Sequence, residues 1–156
     1  MQQNEHLHFL TEALHTHLQT LEATTKPQWG VMNAQEMIEH LNDFFQMSIN
    51  NQPASLLTPT EDLPKYHAFL MSDKMFRENT KAPAALLGDT PIPIRHNNIS
   101  EAVQTLLHSI QQFIAYFNTN QQQRTIHPIF GSLNFDEWTR LHYKHVHHHL
   151  KQFALI

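Results

Sequence analysis

Apolar residues at helical spacing run along most of this chain and constrain its fold more than any other feature. Over residues 3–24 the leucines recur at steps of three and four residues, which places them on one face of an α-helix. They are Leu7, Leu10, Leu14, Leu18 and Leu21. Similar stripes run over about 33–50, 99–119 and 134–154, and the chain has only 3 glycines. The sequence therefore predicts an all-α protein with four long helices.

The stretch between the second and third stripes, residues 51–98, has a different character. It contains Pro53, Pro59, Pro64, Pro83, Pro91 and Pro93. Proline interrupts helices, so only a short helix over about 61–75 is predicted here. The stretch is far longer than an ordinary helix connection. We expect it to cross the end or flank of a four-helix bundle that forms one domain over 1–156.

Composition excludes several functional classes. The chain has no cysteine, which rules out a disulfide scaffold, a cysteine nucleophile and a cysteine-ligated metal. The net charge is -4 and the basic residues are scattered, a balance that argues against nucleic-acid binding. The first residues lack the pattern of a signal peptide, and no apolar run approaches the ~20 residues that span a bilayer. A cytoplasmic protein without membrane association is predicted.

The fourth helix carries an unusual run of histidines. They are His142, His145, His147, His148 and His149. With about 100° per residue, and Trp138 taken as the inward direction, His145 and His149 fall at about -20° and about +20°. His147 falls at about 180° and is predicted to face water, with His148 on the flank. Two inward imidazoles one turn apart can bind the same cation.

A third ligand is available on the second helix. His40 lies near the edge of the apolar stripe there, and metal sites in bundles are assembled from side chains on facing helices. His142 also points inward, so spacing alone leaves open which histidines are ligands and which are core packing. Three protein ligands leave coordination positions for water or substrate, whereas a structural site normally uses four. Nitrogen ligands suit Zn²⁺ or Ni²⁺, and Fe²⁺ is an alternative.

Two segments resemble a known group of proteins. "WGVMNAQEMIEHL" (29–41) and "HYKHVHHHLKQF" (142–153) are similar to motifs of the DinB/YfiT-like superfamily of metalloenzymes. With "LLTPTEDLPKYHAFLMSDK" (56–74), they resemble more closely an uncharacterised bacterial branch, a domain of unknown function. The resemblance implies a four-helix bundle with a long crossover after the second helix. It also implies metal ligands at His40, His145 and His149, with Gln152 at the motif's glutamine position.

Three functional hypotheses follow from an open three-histidine site. In the first, the metal holds a low-molecular-weight thiol as thiolate, and the enzyme transfers it to a small electrophile; some superfamily members look like thiol S-transferases. In the second, the metal activates water to hydrolyse small esters or amides. In the third, the protein binds metal without turnover or acts as a stress-induced interaction module. A homodimer formed through helix faces is compatible with each.

For several other residues near these motifs, the sequence suggests a catalytic or a structural role. His127 and Gln152 are candidate catalytic residues, His127 as a proton shuttle or ligand partner at the site mouth. A structural role for His127 within its own loop is equally compatible with the sequence. Trp29 and Trp138 are predicted to anchor the core.

Charged residues beside the motifs are given simpler roles. Glu36 has the spacing of a capping residue for Asn33. Glu39 and Asp43 are predicted to lie on a solvated helix face. Tyr143 and Lys144 point away from the inward stripe and are predicted to be exposed.

Overall fold

The computed structural model describes residues 2–51, 54–80 and 92–156, and these contain five helices. Helix α1 has three consecutive segments, Gln2–His8, the π-helical Phe9–Ala13, and Leu14–Leu18. The others are α2 (Ala34–Ser48), α3 (Leu63–Met71, after a 3₁₀ turn at Thr60–Asp62), α4 (Ile99–Thr119) and α5 (Phe135–Gln152). The four long stripes of the sequence thus become α1, α2, α4 and α5.

The predicted all-α four-helix bundle is wrong, because the described residues form five helices and a small two-stranded sheet; the short helix predicted over about 61–75 is present as α3. Strands β1 (Thr125–His127) and β2 (Gly131–Leu133) pair antiparallel, with Thr125 opposite Leu133 and His127 opposite Gly131. Gly131 has φ +82°, a conformation that favours glycine and allows the tight return of the chain. Each strand has three residues, too few for alternation to be visible in the sequence.

Asparagine side chains fix where the long helices begin. Asn33 accepts from the backbone N–H of Glu36, and the Glu36 carboxylate accepts from the backbone N–H of Asn33, forming the predicted capping box. Asn134 and Glu137 repeat this arrangement at the start of α5. These caps hold the first turns of the two helices that carry the histidine motifs.

A continuous apolar core lies between α1, α2, α4 and α5. Phe45, Phe113 and Trp138 are among its largest fully buried side chains. The indole N–H of Trp138 donates to Thr125 Oγ1 at 2.7 Å, and that hydroxyl donates to the carbonyl oxygen of Ser48 at 2.7 Å. The hairpin is therefore fastened to both α2 and α5, and Trp138 is the core anchor that the sequence predicts.

Helix α5 is covered on three sides, by α1, α2 and α3. Lys144, predicted to be exposed, is buried, and its Nζ donates to the carbonyl oxygens of Ser72 (2.7 Å) and Lys74. Tyr143 is half-buried and stacks on His6 at 4.1 Å between ring centroids. The prediction of exposure was wrong because it assumed a single buried stripe.

Part of the crossover accounts for this coverage. The chain from α3 to Lys74 lies along α5 and supplies the carbonyl groups that Lys144 binds. Pro53, Pro83 and Pro91 of the predicted crossover lie outside the described residues. Within the described ranges, no helix combines the length and apolar character needed to cross a membrane.

Candidate metal centre

Helices α2 and α5 bring His40, His145 and His149 together, and we call this group the histidine cluster. The Nε2 atom of His145 lies 3.0 Å from Nε2 of His40 and 3.1 Å from Nε2 of His149. All three ligand atoms lie within 4.8 Å of one another. His149 is buried, whereas His40 and His145 are half-buried. The cluster could hold a metal ion, and a site with two half-buried ligands is partly open to solvent.

Hydrogen bonding alone does not account for this convergence. An imidazole nitrogen carries either one N–H or one lone pair in the ring plane. Nε2 of His145 can therefore make one well-directed hydrogen bond, yet two ring nitrogens lie within 3.1 Å of it. Ligand nitrogens at about 2.0–2.1 Å from a cation lie about 2.9–3.4 Å apart in octahedral or tetrahedral geometry. The two separations that involve His145, 3.0 and 3.1 Å, fit a shared cation.

A hydrogen-bond chain fixes the orientation of His149. Nδ1 of His149 lies 2.7 Å from Oε1 of Gln152, and Nε2 of Gln152 donates to the carbonyl oxygen of Trp29 at 3.0 Å. Because the amide nitrogen is used at Trp29, Oε1 accepts from Nδ1–H of His149. The lone pair on Nε2 of His149 is then directed into the cluster, the tautomer that a metal requires.

The loop before α2 makes this chain possible. Gly30 has φ +80°, and a Cβ at that position would lie 2.8 Å from Nε2 of Gln152. Gln28 N–H also donates to the carbonyl oxygen of Gln152 at 2.6 Å. Glycine at this position allows the loop to approach the end of α5 closely. Gln152 is thus a positioning residue for His149, and its proposed catalytic role stays a prediction.

Burial keeps the cluster uncharged. Desolvation lowers the pKa of His40 to about 4, although the nearby charge of Asp43 acts to raise it. Desolvation, followed by the neighbouring histidines, lowers the pKa of His145 and His149 well below the ordinary value. At neutral pH the three imidazoles are therefore deprotonated, and no proton must leave before a cation binds.

Aromatic rings surround the cluster. Phe44 lies 4.3 Å from His145 and 4.9 Å from His40 between ring centroids. Phe45 is buried in the core, whereas Phe44 is half-buried beside the cluster. Trp29, predicted as a core anchor, is half-buried at 5.5 Å from His148. Only the packing of α2 on α5 decides which of the two adjacent phenylalanines faces the site.

His127 lies one aromatic ring away from the cluster. Its ring centroid is 6.1 Å from that of Phe44, and its Nδ1 accepts from the backbone N–H groups of Ile129 (3.0 Å) and Phe130 (3.2 Å). Burial lowers its pKa to about 3. These hydrogen bonds support a structural role for His127 within its own loop, and a proton-shuttle role stays a prediction.

The remaining histidines of α5 lie outside the cluster. His142 stacks on Phe45 at 3.8 Å, and its Nε2 has no hydrogen-bond partner among the described residues. His147 is half-buried against Phe9 instead of facing water, because α1 packs on that side of α5. His148 lies beside Trp29 and 5.2 Å from His149 between ring centroids.

One protein-family model matches residues 1–155. The chain belongs to DUF1569. That family is described as a protein of unknown function, so the resemblance to a domain of unknown function is confirmed over the length of the chain. No curated protein and no solved structure shows significant similarity to it.

The DUF1569 chain also contains an ion-pair network that the sequence reading missed. Glu39 and Asp43, predicted to be solvated, are buried. Oε1 of Glu39 accepts from N–H (2.7 Å) and Nε (3.3 Å) of Arg95, and Oδ2 of Asp43 accepts from Nη2 of Arg95 at 2.8 Å. The prediction failed because Arg95 is distant in sequence, so no local pattern pairs it with α2.

Hydrogen bonds keep Glu39 ionised in this network. Burial acts to raise the pKa of Glu39, but donors from Arg95, Gln35 and His96 outweigh it, and the pKa is lowered. The backbone N–H of His96 contributes at 3.4 Å and Nε2 of Gln35 at 3.1 Å. A buried carboxylate with this many donors is a fixed negative charge one residue before His40.

Proposed function

We propose that this DUF1569 protein is a divalent-metal-dependent enzyme in which the histidine cluster holds the cation. The convergence of three neutral imidazole nitrogens at a half-exposed position carries the proposal. Three protein ligands leave coordination positions open for a small molecule. The all-nitrogen ligand set favours Zn²⁺ or Ni²⁺, with Fe²⁺ as the third choice.

We infer that the reaction is transfer of a low-molecular-weight thiol to a small electrophile. The bound cation would supply stabilisation of a thiolate at neutral pH. Neutral ligands do not offset the cation's charge, and the nearby carboxylate of Asp43 is engaged by Arg95. An anionic ligand is therefore favoured. Phe44 offers an apolar surface beside the ligand, which shields a thiolate from water.

The sequence motifs support the same assignment. The segments around His40 and His145 resemble those of the DinB/YfiT-like superfamily, in which some members look like thiol S-transferases. We infer that DUF1569 is a branch of that superfamily. His149 and Gln152, which the motif pairs by position, share a hydrogen bond of 2.7 Å in this chain.

Metal content tests the site. Protein prepared without a histidine tag is expected to carry about one Zn²⁺ or Ni²⁺ per chain by elemental analysis, as one three-ligand site requires. His40→Ala, His145→Ala and His149→Ala should each remove it. His147→Ala is the matched control, because His147 lies on the same helix outside the cluster and should keep the metal. Equal metal content in all four variants would refute the site.

Thiol binding tests the reaction. Thermal unfolding of metal-loaded and metal-free protein is compared with glutathione, bacillithiol, mycothiol or coenzyme A present. Stabilisation by one thiol in the metal-loaded form alone, followed by its transfer to an electrophile, supports the proposal. Metal-dependent hydrolysis of simple esters without any thiol would replace it with a hydrolase. Metal binding without a response in either assay would show a non-catalytic metal-binding module.

A further inference from the structure

We propose that a cation bound at the histidine cluster fixes the loop before α2, residues 28–31, and that Gln152 transmits this effect. The effect depends on the proposed metal-binding function and adds to it a response of the chain. It begins on the side of His149 that faces away from the cluster, where Nδ1 lies 2.7 Å from Oε1 of Gln152. Through this contact, the state of one ligand ring reaches a segment that carries no ligand.

Hydrogen bonds, more than buried side chains, hold this loop against α5. Gln28 and Val31 are exposed, Val31 to 91%, and Trp29 is half-buried. The backbone N–H of Gln28 donates to the carbonyl oxygen of Gln152 at 2.6 Å, and Nε2 of Gln152 donates to the carbonyl oxygen of Trp29 at 3.0 Å. A segment with few buried apolar contacts opens readily when one of its hydrogen bonds is lost.

Only one tautomer of His149 supports both hydrogen bonds of the Gln152 amide. With the proton on Nδ1, the imidazole donates to Oε1 and the amide nitrogen stays directed at Trp29, which matches the two contacts. With the proton on Nε2, Nδ1 carries a lone pair that repels Oε1. Rotating the amide would satisfy Nδ1 but would place Oε1 against the carbonyl oxygen of Trp29. The second tautomer therefore costs the loop its bond to the side chain of Gln152.

The histidine cluster gives the second tautomer a partner for its proton. Nε2 of His149 lies 3.1 Å from Nε2 of His145, so an N–H on either nitrogen can donate to the lone pair of the other. Without a cation, the two tautomers of His149 therefore compete. A cation binds Nε2 through its lone pair and leaves the proton on Nδ1, which removes this competition.

Cation binding should therefore close the loop onto the end of α5. The bond from Gln28 to the backbone of Gln152 does not depend on the tautomer, so the loop stays nearby and the change is local. The ring of Trp29 lies 5.5 Å from that of His148, which lies 5.2 Å from the ring of His149. The bound cation thus fixes an aromatic side chain at the edge of the site. Because such coupling is reciprocal, the closed loop should also raise the affinity for the cation.

Amide hydrogen exchange with Zn²⁺ and with chelator tests this response. In the wild type, Zn²⁺ should slow exchange of the Gln28 N–H by about 5-fold, the effect of one additional hydrogen bond on the opening of the loop. The N–H of Gln123, which donates to the carbonyl oxygen of Asn120 at 3.1 Å in another loop, should keep its rate. Nitrogen NMR spectra should show both tautomers of His149 in chelator and only the Nδ1–H form with Zn²⁺.

Gln152→Glu separates the response of the loop from metal binding. A carboxylate still accepts from Nδ1–H of His149 but cannot donate to Trp29, so this variant should retain Zn²⁺ and lose the slowing at Gln28. Gln46→Glu is the matched control, because Gln46 is also partly buried and its Nε2 donates to Oγ of Ser109 at 2.7 Å, away from the loop. It should keep the wild-type response.

Three results would overturn the inference. They are unchanged exchange at Gln28 when Zn²⁺ is bound to the wild type, equal slowing in Gln152→Glu, and a single Nδ1–H tautomer of His149 in chelator. If Gln152→Glu does not fold, the exchange and tautomer measurements on the wild type decide. Failure of the wild type to bind Zn²⁺ in equilibrium dialysis would instead refute the proposed function.

Discussion

Two regions of α5, three residues apart, use histidine in opposite ways. His145 joins the histidine cluster, where its Nε2 faces two other ring nitrogens at 3.0 and 3.1 Å. His142 lies in the aromatic core, stacked between Phe45 and Trp138, and its Nε2 has no hydrogen-bond partner in the described part of the chain. Both are desolvated, so burial alone does not distinguish a ligand from a core residue.

The difference lies in what each imidazole faces. Ring nitrogens from separate helices converge at the histidine cluster, and one ring is oriented through Gln152. Around His142 the neighbours are carbon surfaces that pack on both ring faces. The first arrangement gains free energy when a cation arrives, whereas the second contributes packing to the folded state at the cost of a desolvated nitrogen.

Metal-linked stability should separate the two regions most clearly. With free Zn²⁺ at about 1,000 times its dissociation constant, the wild type should gain about 4 kcal/mol in free energy of unfolding over the chelated protein. His145→Ala should gain nothing, because the cluster loses its central nitrogen. His142→Ala should gain as much as the wild type. Urea unfolding with Zn²⁺ and with chelator measures this gain in free energy. Stabilisation of His145→Ala by Zn²⁺ would contradict the distinction between His145 as a ligand and His142 as a core residue.

The stability of the metal-free protein should show the reverse order. His142→Ala removes a fully buried ring from between two aromatic side chains and should cost about 3 kcal/mol, as for large-to-small changes in a core. His145→Ala should cost less, since His145 is half-buried and its removal relieves crowding among unliganded nitrogens. Urea unfolding in chelator checks the order; a larger cost for His145→Ala would contradict the core assignment of His142.

Helical spacing predicted the long helices and the direction of His145 and His149 well, because both depend on local periodicity. The same helical projection did not separate His142 from the cluster. It gives the direction of a side chain around the helix axis, but not which residues of other segments lie opposite that side chain. It also misplaced Lys144, which is buried under carbonyls of the crossover. These errors share one cause: the partners come from segments distant in sequence.

The sequence did not predict the hairpin or the ion-pair network, and the reasons are related. Three-residue strands carry no measurable alternation, and Thr125 reads as a loop residue until Trp138 and Ser48 are seen to bind its hydroxyl. Glu39 looked solvated because its donors, chiefly Arg95, come from the far end of the crossover. Long-range pairing of polar groups is not encoded in local spacing.

Acid should destabilise the core region through His142. Its ordinary pKa is 6.5, and burial, with a smaller effect from His127, lowers the pKa to about 3 in the folded chain. The unfolded chain therefore binds a proton that the folded chain does not, and stability present above pH 6.5 is lost as pH falls toward 3. The loss should be about 2 kcal/mol at pH 5 for this residue.

Comparing the wild type with His142→Gln isolates the contribution of His142 to the pH dependence of stability. In metal-free protein the free energy of unfolding is measured between pH 7 and pH 5 for both chains. The wild type should lose about 2 kcal/mol more than the variant, since His127 and the other buried histidines titrate in both. An equal loss of free energy of unfolding in the wild type and in His142→Gln would show that His142 is protonated in the folded state at pH 5. The contrast between His142 and His145 would then be lost.

The smallest effect should come from Gly30, which supports the cluster through Gln152. Gly30→Ala places a methyl group 2.8 Å from Nε2 of Gln152 on a backbone with φ +80°, so about 1 kcal/mol of stability should be lost. Metal affinity should fall by several-fold because the amide that orients His149 shifts. Gly131→Ala has nearly the same backbone strain, at φ +82°, but meets Leu63 instead. It should cost similar stability and leave metal affinity unchanged. A common loss of affinity in both variants would mean that the cluster responds to general strain, and the link from the loop through Gln152 to His149 would then carry no specific role.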